Sequence, residues 1–222
     1  MGATLGMARK MARLTPDKCI FLVCDVQERF RSAIHNFPAV VAGSQRMLKA
    51  AIELKIPALV TEQYPKGLGK TVEELDVSHA EVFEKTTFTM LCPAVAARLA
   101  EHKQVTDFVL VGIEAHVCVQ QTTLDLLEQG FNVHLCVDAL SSSTPVDRAC
   151  GLHRAECACA HRLTHTPPSQ HANARLGRRA GAYLTTTESV LMDLIRGKDH
   201  PSFKAISANL KETKLAEPLG FI

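Results

Sequence analysis

The chain has 222 residues, which is enough for one well-buried α/β domain carrying at most a long insertion. Its 46% apolar and 22% charged residues are ordinary for a globular protein, and a net charge of +2 gives no reason to expect a nucleic-acid partner. No apolar run approaches the ~18 residues of a membrane span, so we expect no membrane association. Eight cysteines without a secretory signal predict reduced thiols and a cytoplasmic location.

The amino-terminal stretch, residues 1–16, contains basic residues but no acidic one. This bias is typical of a short mitochondrial presequence, so a mitochondrial location is the alternative to the cytoplasm. A flexible tail with alternative start methionines is the favoured interpretation. We therefore expect residues 1–16 to be a flexible tail and residues 17–215 to form a single domain.

Apolar, strand-like runs alternate along the chain with segments of helical spacing. We predict strands at 19–24, 57–61, 82–85, 107–112, 133–137 and 182–185. Helices are predicted at 39–54, 93–102, 117–129, from 146 onwards, at 189–196 and within 202–215. This alternation predicts a three-layer α/β/α fold whose sheet has about six mainly parallel strands in a Rossmann-like topology.

Three reactive side chains lie at the ends of predicted strands. Asp25 follows the first strand, Lys85 ends the third, and Cys118 lies where the fourth strand leads into a helix. Because ligands gather at the carboxyl ends of strands in open parallel sheets, these three side chains can meet in one crevice. Each also has a structural interpretation, namely an N-cap, a surface charge and a small buried hydrophobe, respectively.

The surroundings of two of these residues indicate how their pKa values would shift. Cys118 on the first turn of a helix meets unpaired backbone N–H groups and the positive end of the helix dipole, which favour the thiolate and lower the thiol pKa. Lys85 lies between Phe83 and Phe88, and partial desolvation there would lower its pKa, as a proton-handling lysine needs.

Residues 155–179 differ in character from the rest of the chain. They are basic, contain a Pro-Pro pair that cannot lie inside a helix, and include a CxC followed by HxxxH. Three interpretations stay open: a zinc-compatible loop, a basic loop for an acidic or nucleic-acid partner, and a mobile surface loop or non-native sequence from faulty gene modelling. The third is favoured, since zinc-finger spacing and interleaved aromatic residues are both missing.

Several motifs together resemble the isochorismatase-like cysteine hydrolases. They are CDVQERF at 24–30, TEQYPKGLG at 61–69, FEKTTFTM at 83–90, and GIEAHVCV with TTLDLLEQGFNVHLCVDA between 112 and 139. The similarity runs from about Asp17 to Arg196, and within the superfamily it points to the isochorismatase domain-containing proteins. In that comparison, residues 155–179 look like an insertion between a helix and the last strand.

The resemblance implies a catalytic triad and an oxyanion hole. Asp25 would be the general base, Lys85 would stabilise the charged forms, and Cys118 would attack a carbonyl carbon to give an acyl-enzyme. The backbone N–H groups of Glu114 and Cys118 would form the oxyanion hole, with a cis peptide between Ile113 and Glu114.

Four further residues are candidates for the substrate pocket, and each has an alternative role as a structural polar or core residue. They are Gln27, Gln63, Tyr64 and Phe88. No histidine occurs in TEQYPKGLG, where nicotinamidase-type relatives hold a metal, so we expect no metal and no cofactor.

The resulting functional prediction is a cysteine hydrolase acting on an amide-like C–N bond, or a related acyl bond, of a small molecule. A ribonuclease, as some similar sequences are labelled, and a binding or scaffold protein with a weak site are the alternatives. By the same resemblance we expect a homo-dimer or homo-tetramer.

Overall fold

A computed structural model of the chain describes residues 13–158, 181–212 and 219. Within these ranges the structure has six strands: β1 (Cys19–Cys24), β2 (Ala58–Gln63), β3 (Glu81–Lys85), β4 (Asp107–Gly112), β5 (Asn132–Leu140) and β6 (Tyr183–Thr185). The α-helices are α1 (Phe37–Leu54), α2 (Pro65–Leu68), α3 (Pro93–Glu101), α4 (Cys118–Gln129), α5 (Pro145–Cys157), α6 (Thr187–Ile195) and α7 (Phe203–Glu212).

The strands form one sheet in the order β3-β2-β1-β4-β5-β6, and every neighbouring pair is parallel. Strands β1 and β4 lie at its centre and are buried along their whole length. The carboxyl ends of all six strands therefore face the same edge of the sheet. The predicted three-layer α/β/α fold with a parallel six-stranded sheet is confirmed.

Alternating side chains divide the core between the two faces of the sheet. Within β1, Cys19, Phe21 and Val23 belong to one apolar cluster, which also includes residues of α1 and α6. Ile20, Leu22 and Cys24 belong to the other cluster, which includes residues of α3, α4 and α5. A buried strand of continuous apolar residues thus supplies both cores at once.

Strand β5 is longer than predicted, because it continues through a polar residue to Leu140. The carboxylate of Asp138 is stabilised there, since it accepts hydrogen bonds from the N–H and the hydroxyl of Thr187 at 2.8 and 2.6 Å. The pairing between β4 and β5 shifts register between Leu110 and Gly112, and Gly112 then pairs with Leu140.

The packed domain begins before Asp17. Leu14 is buried, its N–H donates to Asp193 at 2.9 Å, and its carbonyl accepts from Arg196 at 3.3 Å. Leu14 therefore belongs to the folded domain and not to the tail predicted over residues 1–16.

Most of the predicted insertion, residues 159–179, and most of the predicted tail, residues 1–12, lie outside the described residues. Residues 155–157 form the last turn of α5. Within the described ranges, no helix has the length and apolar character to cross a membrane.

Candidate active site

The sheet edge brings the three predicted catalytic residues together. Lys85 ends β3, Asp25 follows β1, and Lys85 Nζ lies 2.7 Å from Asp25 Oδ2 in a pair that is almost fully buried. Cys118 is the first residue of α4, and its sulfur lies within 4.8 Å of a carboxylate oxygen of Asp25. The acid, the amine and the thiol are thus side by side despite their separation in sequence.

Asp25 accepts hydrogen bonds on both of its oxygens. Thr61 donates its hydroxyl to Oδ1 at 2.7 Å, and Lys85 donates to Oδ2. The thiol of Cys24 also donates to Oδ2, at 3.6 Å. Asp25 has a left-handed backbone with φ of 52°, which turns the chain out of β1 at this point.

Lys85 donates into a cage of oxygen atoms. Besides Asp25, its Nζ contacts Gln63 Oε1 at 2.7 Å and the carbonyl oxygens of Thr87 and Phe88 at 3.1 and 3.0 Å. Such a site favours the ammonium form.

The sequence predicted a lowered pKa for Lys85, and this prediction is wrong, because the pKa is raised. Burial by itself lowers the pKa of Lys85, but the acidic groups of Cys24, Asp25 and Cys118 outweigh that effect and raise it above 10.5. Because the pKa is raised, Lys85 remains a cation at neutral pH. The four oxygen acceptors around its Nζ agree with a lysine held as a cation.

The segment before α4 carries the two predicted oxyanion donors. The peptide bond between Ile113 and Glu114 is cis, as the resemblance implies. Among the described residues, the N–H groups of Glu114 and Cys118 have no hydrogen-bond acceptor, whereas the Glu114 carbonyl accepts from Val117 and Val119. Two backbone donors within residues 114–118 thus have no acceptor among the described residues, and Cys118 as a whole is 7% exposed.

Close packing against the end of β1 fixes this segment. Gly112 has a φ of +115°, and a Cβ there would lie 2.2 Å from the carbonyl oxygen of Cys24. The next residue, Ile113, donates its N–H to that same oxygen at 2.9 Å. Only glycine permits this approach, which brings the start of α4 next to Asp25.

The predicted pocket residues occupy different environments. Gln63 contacts Lys85 directly, and Phe88 contacts it through its backbone carbonyl. Gln27 is fully buried: its amide donates to the carbonyls of Gln63 and Gly69 at 3.0 and 2.6 Å and accepts from the Gln63 N–H. The observed role of Gln27 is therefore to hold the loop after β2, while contact with substrate stays a prediction.

A cavity of about 530 Å³ opens next to Lys85. Its lining includes Tyr64, Lys66, Glu84, Lys85, Thr87 and Cys92. Neither Asp25 nor Cys118 is among the lining residues, and the side chain of Lys85 is buried, so the cavity lies next to the three reactive groups without opening onto them. The side chains of Tyr64 and Phe88 are 54% and 53% exposed, which leaves them accessible to a ligand or a protein partner.

Two residues of the site were not predicted from the sequence, namely Cys24 and Thr61. They are register partners at the carboxyl ends of β1 and β2, and both contact Asp25. Cys24 is the last residue of β1 and Thr61 lies near the end of β2, and these positions could have identified them from the sequence.

The sequence model of the isochorismatase domain matches residues 19–167. The chain belongs to the isochorismatase family. Isochorismatase domain-containing protein 1 of Danio rerio is 43% identical over 202 residues, covering 90% of this chain and 64% of that protein. The chain thus spans less than two thirds of that relative's length.

Other family members are covered more completely. Human isochorismatase domain-containing protein 2 is 39% identical over 91% of this chain and 87% of its own length. A solved structure described as the MAR1 ribonuclease from Caenorhabditis elegans superposes with a TM-score of 0.79, at 41% identity, and covers 95% of this chain and 97% of that one. The family resemblance seen in the motifs is therefore confirmed.

Proposed function

We propose that this isochorismatase-family protein is a cysteine hydrolase that cleaves an amide-like C–N bond, or a related acyl bond, of a small molecule. The observation that supports this proposal best is the buried Asp25–Lys85 pair, with a 2.7 Å contact, beside the Cys118 sulfur at the start of a helix. A carboxyl group, a cation paired with it and a thiol in one place are the groups that nucleophilic acyl transfer needs.

In the proposed reaction, Asp25 takes the thiol proton while the sulfur of Cys118 bonds to the carbonyl carbon. The C–N bond then breaks, and the proton held by Asp25 passes to the departing amine. A water molecule next attacks the thioester, Asp25 takes a proton from that water, and the C–S bond breaks to release the acid. Asp25 finally returns the proton to Cys118, and Lys85 balances the negative charge throughout.

The oxyanion formed in both halves of this reaction requires donors that are already in place. The N–H groups of Glu114 and Cys118 are proposed for this role, since neither donates to another described group. Loss of one such donor typically slows an enzyme of this kind on the order of 100-fold.

The cavity beside Lys85 is the proposed entry for the substrate. Lys66 and Glu84 present opposite charges along its lining, and Tyr64 offers an aromatic face. Gln27, Gln63, Tyr64 and Phe88 remain the proposed substrate-binding residues, of which Tyr64 lines this cavity directly. Because the lining is mainly apolar and also carries these two charges, it suits a small molecule with both an apolar part and a polar amide.

Labelling of the thiols tests the proposal. We expect iodoacetamide to modify Cys118 in a pH-dependent manner and to abolish turnover of a panel of small amides in parallel. Cys118→Ser should lower turnover by several orders of magnitude, because the nucleophile and its base act as one unit. Cys150→Ser, which changes an exposed cysteine of α5, is the matched control and should leave turnover unchanged.

A ribonuclease is the second candidate, because the relative of 41% identity is described as one. RNA cleavage that survives Cys118→Ser would favour this activity over cysteine hydrolysis. Slow labelling of Cys118 without turnover of any amide or RNA would instead indicate a binding or scaffold protein. Ligands trapped by Cys118→Ala and identified by native mass spectrometry would distinguish the substrate classes.

We also propose that the chain forms a homo-dimer or homo-tetramer. Strand β3 is an edge of the sheet, and Val82 on this strand is 41% exposed. Tyr64, whose N–H donates to the carbonyl of Lys85 at the end of β3, is exposed as well. Phe88, which follows β3 in the chain, is also exposed. A second copy of the chain covering Val82 along this edge would bury apolar surface that is costly to leave in water.

A further inference from the structure

A second thiol lies beside the proposed nucleophile and has no part in the proposed hydrolysis. Cys24, the last residue of β1, has no exposed surface. Its sulfur, the sulfur of Cys118 and a carboxylate oxygen of Asp25 all lie within 4.8 Å of one another. Both cysteines are free thiols in this structure.

The topology places these two thiols together for a specific reason. Cys24 faces the apolar cluster that also contains Cys118, and its backbone pairs with Gly112 in β4. The close approach at Gly112 brings the start of α4 over the end of β1. Cys19, on the same strand, and Cys136, on β5, belong to the cluster on the opposite face of the sheet.

We propose that Cys118 is an oxidation site for a small hydroperoxide and that Cys24 is its resolving cysteine, so that the two form a reversible disulfide. The inference rests on the proposed function in one respect, namely that the thiol of Cys118 is reactive. It adds a means by which the same site is switched off and protected.

The chemistry requires one equivalent of hydroperoxide. The sulfur of Cys118 attacks one peroxide oxygen, the O–O bond breaks, and the departing oxygen is protonated to water, or to an alcohol if the peroxide is organic. This step oxidises the thiol to a sulfenic acid and reduces the peroxide. The sulfur of Cys24 then attacks the sulfenic sulfur, the S–O bond breaks, and the leaving hydroxide takes the Cys24 proton to give water.

The burial of Cys24 disfavours the first step, and its hydrogen bond to Asp25 provides a base for the second. Burial, the neighbouring Cys118 thiol and the Asp25 carboxylate together raise the pKa of Cys24 well above 9.0, so this thiol stays protonated while Cys118 is reduced. Its S–H donates to Asp25 Oδ2 at 3.6 Å, and this carboxylate offers a route for the proton once Cys118 is oxidised. Cys24 therefore does not compete with Cys118 for the oxidant.

The geometry requires only a small rearrangement. A disulfide brings its sulfurs to about 2.05 Å, so closure from a separation of at most 4.8 Å moves them together by at most about 3 Å. Rotation of one cysteine side chain between staggered positions covers a distance of this order.

Peptide mapping of the full chain after a short pulse of hydrogen peroxide tests the inference. Cleavage after Phe21 separates Cys19 from Cys24, and cleavage after Glu128 separates Cys118 from Cys136. We expect a cross-linked Cys24–Cys118 peptide, about 2 Da lighter than the sum of the reduced peptides, which dithiothreitol converts back. The loss of Cys118 labelling by iodoacetamide should be reversed by dithiothreitol to the same extent.

The matched pair of variants is Cys24→Ala and Cys19→Ala, which remove buried thiols from opposite ends of β1. With Cys24→Ala, the same pulse should convert Cys118 to a sulfinic acid, about 32 Da heavier, and dithiothreitol should no longer restore its labelling. Cys19→Ala should behave like the unmodified chain.

Two results would overturn the inference. One is a Cys118 sulfenic or sulfinic acid in the unmodified chain without the cross-linked peptide, and the other is equal recovery of labelling in Cys24→Ala. Amide turnover before oxidation reports separately on the proposed hydrolysis. An active hydrolase without the cross-link, and a cross-linked chain without turnover, are therefore distinguishable outcomes.

Discussion

The Asp25–Lys85 pair places two opposite charges in the interior, where each stabilises the other. We expect Lys85→Met to lower the free energy of unfolding by about 3–5 kcal/mol, because the Asp25 carboxylate would remain buried without its cation. Urea denaturation followed by circular dichroism measures this change. Lys49→Met is the control and should have little effect, because Lys49 of α1 forms an exposed ion pair with Glu212 of α7.

A double variant separates the pair from its surroundings. Asp25→Asn combined with Lys85→Met should destabilise the protein by less than the sum of the two single changes, since neither charge is then left alone. A loss of stability in the double variant equal to the sum of the two single losses would contradict the view that the two groups depend on each other.

A second buried carboxylate, that of Asp107 at the amino end of β4, makes the free energy of unfolding depend on pH. Burial by itself raises the pKa of Asp107, but hydrogen bonds from His134, Thr106 and Asn132 outweigh it and lower the pKa below 3.8. Because the unfolded chain then binds the proton more readily, the contribution of Asp107 is fully present above its ordinary pKa. It is lost as the pH falls through the lower pKa of the folded state.

The Asp107→Asn variant tests this dependence. We expect its unfolding free energy to fall less steeply than that of the unmodified chain between about pH 5 and pH 2. Urea titrations at a series of pH values measure the difference. Parallel curves for the two proteins would show that Asp107 does not contribute to the acid sensitivity.

At the level of single residues, position along the chain was enough to find Asp25, Lys85 and Cys118, because strand ends share one edge of a parallel sheet. The contacts that these residues make could not be predicted from the sequence. The pKa of Lys85 depends on Cys24, Asp25 and Cys118, which are distant from it in the sequence, and the burial of Gln27 depends on a loop that folds back over it. Spacing in the sequence does not encode such contacts.

At the level of elements, the turn from β4 into α4 is the most demanding part of the fold. We expect Gly112→Ala to lower the free energy of unfolding by about 3 kcal/mol, since it adds both a strained positive φ and a clash with the Cys24 carbonyl. Chemical denaturation measures the loss. Gly197→Ala is the matched control, because a Cβ there would meet no atom within 4 Å.

A stability of Gly112→Ala equal to that of Gly197→Ala would contradict the close packing described for the end of β1. Labelling of Cys118 in the folded variant gives a second readout. We expect slower labelling, because displacement of β4 from Cys24 would move the start of α4 away from Asp25.

Regular elements followed from the sequence more readily than their ends. Apolar runs predicted the buried strands β1, β2, β4 and β5, since a strand buried on both faces has few polar residues. The end of β5 was missed because Asp138 resembles a strand terminator, and its partner Thr187 lies in a distant part of the chain. The start of α1 at Phe37 was missed because Asn36, with a left-handed φ of 48°, offers no side-chain cap to mark it.

At the level of the whole molecule, the edge strand β3 is the expected site of self-association. We predict that Val82→Lys shifts the chain towards the monomer, because a charge in the middle of an apolar contact is costly to bury. Size-exclusion chromatography with light scattering measures the change. Val146→Lys, at a position of α5 that is 70% exposed, is the control and should leave the mass unchanged. An assembly unaffected by Val82→Lys would place the interface elsewhere.

The contact between Leu14 and α6 sets a limit on how far the amino terminus can be trimmed. Proteolytic maturation that stops before Leu14 leaves a buried leucine and its hydrogen bonds to Asp193 and Arg196 intact. Removal of Leu14 as well would uncover the end of α6, so a chain shortened to begin at Leu14 keeps this contact and one shortened to begin at Thr15 loses it.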